Sequence, residues 1–253
     1  MGGLRTNLIG LSMLCLVCQT GVAAGIRLQL VRHAVGEERE YEDYLVHSRY
    51  LNDIVTRLNA RFLFPQEIAV QLGTDDGPLY DVASRTIRIP FDLGLLPSPR
   101  DERLDMVERR LLYRGALAFS VGHEMGHAFV HLYDWPVHGR AEEEQAADAV
   151  AVYLVMHVLG DEESVAEALA EIVRLEAAGD ASPAVSACIA PARAQRVFCW
   201  LRGAASGSLG WLGRPGVLPD ATSTSCRDEY LALESRVEAL LRPAERSARS
   251  DPP

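Results

Sequence analysis

The sequence is short of positive charge, of cysteine and of long apolar runs, and each shortage removes a class of function. Lys and Arg number 25 against 35 Asp and Glu, a formal charge of −10. Nucleic-acid binding draws its affinity from clustered basic residues, so no nucleic-acid partner is expected. Of five cysteines, only Cys188, Cys199 and Cys226 lie beyond the N-terminal segment, and none of these stands in a CxxC pair. That spacing argues against a Cys-type zinc knuckle and against a thioredoxin-like redox site, and an odd count allows at most one bridge among the three. After the first residues no stretch approaches the roughly 20 apolar residues a spanning helix needs, and no internal repeat is visible.

What is present begins with MGGLRTNLIGLSMLCLVCQTGVAAG. Arg5 supplies a positive start, Leu8 to Val17 an apolar run, and Val22-Ala23-Ala24 a small-residue cleavage site before Gly25, the pattern of an export signal. The alternative is an uncleaved anchor, but the apolar run before Gln19 is short for one. No lipobox-like Leu-Ala-Gly-Cys surrounds Cys15 or Cys18. Residues 1–24 are therefore expected to be a signal peptide, giving an exported protein, periplasmic or secreted, without stable membrane insertion after cleavage.

The 253 residues, 48% hydrophobic and 24% charged, suit one globular domain. Ile26 to Val31 alternates like a strand, and Gly36 to Asp43 (GEEREYED) reads as a solvated charge run. Ser48 to Ala60 has helical spacing. IAVQL, LYDV and SRTIRIPF read as short strands around the turn-rich GTDDGP. Asp101 to Tyr113 is amphipathic, and after Gly115 the run ALAFSVGHEMGHAFVHLY is apolar enough for a buried helix, ending at Trp135-Pro136. Further helices are expected over Ala141–Leu159, Glu162–Ala178, Pro191–Ala205 and Arg227–Leu241. These elements predict one α+β domain over residues 25–241, with a small sheet and a mainly helical C-terminal half, then a disordered tail over 242–253.

The chemistry lies in VGHEMGHAFVHLYDWPVHGRAEEEQAAD, Val121 to Asp148. In HEMGH, His123 and His127 are four apart, so on a helix both imidazoles reach one ion, and Glu124 is placed to take a proton from water activated there. A core helix that merely carries histidines would need partners for two buried imidazoles. The third ligand can be sorted by geometry. His131 cannot converge with both histidines, because the outer pair is separated by about 12 Å of helix rise. A metzincin would need Gly at position 130 and His at 133, where this chain has Val130 and Tyr133. His138 sits in a short loop after Pro136.

Glu144 and Asp148 are four apart, the ExxxD spacing of a glutamate zincin. Glu144 would bind zinc and Asp148 would accept the spare N–H of His123. Glu143 points about 100° away and is the alternative ligand. Glu142 to Glu144 could simply favour a helix N-terminus, but that leaves Asp148 unexplained within the apolar AADAVAVYLV.

With these residues the chain resembles a bacterial metallopeptidase family of unknown function whose pattern is HExGHA, PVxGR and EExAAD. Here the matching residues are His123 to Ala128, Pro136 to Arg140 and Glu143 to Asp148. The likeness extends through LFPQEIAV, PLYDVASRTIRI, QRVFCW and CRDEY. It implies an α+β zincin-like fold with one zinc per chain, and a bridge between Cys199 and Cys226 that leaves Cys188 free. Two departures stand out. Ala141 with an extra glutamate lengthens the GREE-type segment by one residue, leaving Glu143 and Glu144 both open, and the family's cysteines around the β region are absent.

The expected function is zinc-dependent hydrolysis of peptide or protein substrates, with Glu124 as general base. Thr86 to Pro90 could bind substrate by edge pairing, and Tyr153 or His157 could face the oxyanion. A zinc-stabilised binding or inhibitory protein, and a zinc-dependent esterase or amidase, are the alternatives.

Overall fold

A computed structural model of the chain describes residues 24–91, 93, 105–179, 189, 191–205, 207–213 and 223–246. The expected signal segment up to residue 23, Cys188 and the tail beyond 246 lie outside the described residues.

Strand β1 (Ile26–Leu30) pairs in parallel with β2 (Ile68–Leu72), and β2 in parallel with β4 (Thr86–Ile89), while β3 (Leu79–Asp81) lies antiparallel to β4 at the sheet's edge. A parallel pair needs a long crossover. Here it is α1 (Arg39–Ser48) and α2 (Tyr50–Arg61). The GEEREYED run is therefore more than a solvated surface. Glu38 takes both terminal nitrogens of Arg32 at 2.7 and 2.9 Å, and Glu42 accepts from the Ala34 backbone at 2.7 Å. These acids bind the chain leaving β1 to the helix that follows. Alternation in β2 turns Ile68, Val70 and Leu72 inward, where they share one buried core with Ile87, Phe129 and Val150.

The amphipathic stretch and the apolar run after Gly115 form one unbroken helix, α3, over Met106–Leu132. Asp105 caps it, accepting from Val107 and Glu108, and Glu108 returns a bond to the Asp105 backbone. Gly115 is there for contact, since a Cβ at that position would stand 1.8 Å from the Ser164 carbonyl oxygen. α4 (Arg140–Leu154) continues through a π turn, Val155–Leu159, to Gly160 at φ 69°. Then come α5 (Glu162–Ala178), α6 (Pro191–Ala204) and α7 (Ser223–Leu241). α3 packs chiefly on α4 and α5, and α6 on α7. A disulfide joins Cys199 to Cys226.

The result is an α+β architecture with a small mixed sheet and a helical C-terminal half. The segment expected to be loose from residue 242 is packed as far as Arg246, whose Nε donates to the Asn59 and Phe62 carbonyls, and Ala244 is fully buried. Among the described residues no helix is long and apolar enough to cross a membrane.

Candidate metal centre

The centre exists because α3 and α4 approach backbone to backbone. A Cβ on Gly126 would lie 2.5 Å from Ala147 Cα, and one on Gly122 would lie 3.2 Å from Ala151 Cα. Small residues at these crossings let the neighbouring long side chains meet: His123 and His127 from α3, Glu144 and Asp148 from α4.

The two imidazoles stand edge to face with Nε2 atoms 3.2 Å apart, and His123 Nε2 is 3.4 Å from Glu144 Oε2. Tetrahedral zinc with bonds of about 2.0–2.2 Å asks for donor separations of about 3.3 Å. The His123, His127 and Glu144 donors all lie within 4.8 Å of one another, so this set can hold a metal ion. The nitrogens on the far sides are also engaged. His127 Nδ1 is 2.8 Å from Glu143 Oε1, and because a carboxylate only accepts, His127 carries a proton on Nδ1 and keeps Nε2 open. His123 Nδ1 lies 2.9 Å from Asp148 Oδ1, an ion-pair distance, though not aligned as a hydrogen bond.

Glu143, the alternative ligand, thus faces the back of His127, and its Oε1 also reaches His131 Nε2 at 3.1 Å. His131 is held at the mouth of the centre and is not part of the donor set. His138 is exposed, and its backbone donates to Glu142 at the start of α4.

The charges follow from these neighbours. Burial opposes protonation of His123, but Asp148 and Glu144 hold its proton up to about 9. Contact with His123 depresses the Glu144 carboxyl to about 2 against the effect of burial. Burial would raise Asp148, yet His123 and Arg193 together keep it below its ordinary value. Glu124 behaves oppositely: burial lifts its carboxyl, only partly countered by His123 and His127.

Glu124 and the three donors open into a cleft of about 580 Å³ lined also by Leu79, Val82, Phe119 and Val137. β4 has partners on both sides, so Thr86 to Pro90 offers no free edge; of the two outer strands, β1 and β3, it is β3 that lines the cleft. Tyr153 and His157 do not line it. His157 Nε2 is instead 2.9 Å from Tyr230 Oη and 2.8 Å from Glu234.

Sequence reasoning missed Arg193, which donates from Nε and Nη2 to Asp148 at 2.8 and 2.6 Å. It lies 45 residues beyond its partner, and no spacing rule marks it. A buried Asp148 did signal that some partner was needed.

No curated protein and no solved structure matches the chain. The family model described as "Putative metallopeptidase" matches residues 33–241, most of the sequence, and the chain belongs to that family.

Proposed function

We propose that the protein is an exported, zincin-like peptidase that binds one zinc per chain through His123, His127 and Glu144. The observation carrying this reading is the pair of imidazoles: both present Nε2 to one point while Asp148 and Glu143 stand against their Nδ1 atoms. A merely packed pair of histidines needs no carboxylate behind each ring.

When bound, zinc would polarise the scissile carbonyl and acidify water at its open position. Glu124 is outside the donor set and buried at the floor of the cleft. Its raised proton affinity suits a base that accepts the proton of the attacking water and returns it to the leaving amine. β3, the outer strand at the cleft, supports an extended peptide as substrate, paired backbone to backbone. Export rests on Arg5, the short apolar run and Val22-Ala23-Ala24.

The test pairs metal analysis with peptide-library digestion. Wild type should carry one zinc and cleave. Glu124→Gln should keep the zinc and the melting temperature, and lose about 10²–10⁴-fold in hydrolysis. If wild type cleaves nothing and His123→Ala simply unfolds, zinc is a scaffold and the binding-protein reading takes over.

A further inference from the structure

Arg193 stands outside the motifs of the cleft, on α6, and reaches the metal centre from behind. Its Nε and Nη2 donate to Asp148 Oδ2 and Oδ1 at 2.8 and 2.6 Å, while Nη1 is 2.9 Å from Glu144 Oε2. That oxygen is the same one that lies 3.4 Å from His123 Nε2. A single planar guanidinium therefore spans the candidate ligand and the carboxylate behind the first histidine.

We propose that Arg193 is a positioning residue of the metal centre, fixing the relative placement of Glu144 and Asp148 and offsetting their charge before metal arrives. This inference rests on the metal-binding reading above. Asp148 is 3% exposed, and a buried carboxylate without a partner is costly. Its approach to His123 Nδ1 is unaligned, so the fork from Arg193 is what sets the carboxylate's orientation. Arg140 also approaches Glu144, at 3.6 Å, but its side chain is 92% exposed and its charge is screened by water. Three oxygens served at once require the guanidinium shape; a lysine ammonium matches the charge and not the fork.

A plain structural brace between α6 and α4 would make a different prediction, because it would leave the metal affinity of folded protein unchanged. The experiment uses the full chain stripped of metal, titrated with zinc against a chromophoric chelator, and with cobalt for its visible spectrum. Arg193→Gln should lower zinc affinity by about 10–100-fold, the usual effect of losing a group that orients a ligand. Arg193→Lys should recover part of that loss and still show an altered cobalt spectrum. Should the Gln variant fail to fold, the Lys variant carries the test. Adding guanidinium at millimolar concentration to Arg193→Ala should raise zinc affinity towards wild type. Wild-type affinity and spectrum in both the Lys and Gln variants, with only the melting temperature lowered, would overturn the proposal. Wild-type protein that takes up no zinc would overturn the metal centre itself, and the role of Arg193 with it.

Discussion

Glu143 accepts from His127 Nδ1 at 2.8 Å, on the side of the ring turned away from the donor set. Glu144, one residue on, faces the opposite task. Glu144→Ala should remove a ligand, whereas Glu143→Ala should only release a ring, at about 10–100-fold in zinc affinity. Chelator competition should therefore rank wild type above Glu143→Ala, and Glu143→Ala above Glu144→Ala. The reverse order would exchange the two roles.

Gly126 leaves no room for a methyl group, because its Cβ would meet backbone and not a flexible tip. Gly126→Ala should destabilise by about 1–3 kcal/mol, the range for overpacked cores, and Gly122→Ala, with its wider 3.2 Å approach, by less. Urea unfolding of the two variants measures this. Equal midpoints would mean the helices can part freely.

Zinc should displace a proton. His123 holds its proton up to about 9 in the metal-free protein, and a metal takes only the neutral ring. Glu144, at about 2, is already ionised and contributes none. Zinc affinity should thus rise with pH until about 9 and then level off. A folded-state value above the ordinary one stabilises metal-free protein at low pH, and this contribution is lost as pH rises from the unfolded value towards about 9. Calorimetry at pH 7.5 in two buffers of different ionisation heat should report close to one proton released per zinc. A value near zero would contradict the assignment.

The Cys199–Cys226 bridge closes a loop of 27 residues, worth about 3.5 kcal/mol in the chain-entropy model. Mild reductant should lower the melting temperature accordingly. Thiol titration of the unreduced, signal-free protein under denaturing conditions should find one free group, Cys188; two or more would mean the bridge is not formed.

Much of this was legible because it is periodic. His123 with His127, and Glu144 with Asp148, are separated by one helical turn, and β2 before GTDDGP alternates as a half-buried strand does. The role of Gly115 was not legible, because it answers a neighbour 49 positions away, Ser164. GEEREYED misled for a related reason: charge reads as solvent-facing until Arg32 and the Ala34 backbone are known to stand opposite it. β3 as the outer strand beside the cleft, and Glu143 behind His127, depend on which elements become neighbours. Local sequence carries no record of that.

The pairing of Asp148 with Arg193 also sets an order of completion. Both motifs of the centre are finished by residue 148, yet the cation paired with Asp148 arrives on α6, and α6 is joined to α7 by a disulfide. A chain stopped before residue 191 would possess every candidate ligand and leave a buried carboxylate without its counter-ion. Such truncated chains are expected to be degraded quickly in a pulse-proteolysis experiment, zinc or no zinc. Synthesis therefore delivers His123, His127, Glu144 and Asp148 first and their counter-ion Arg193 last.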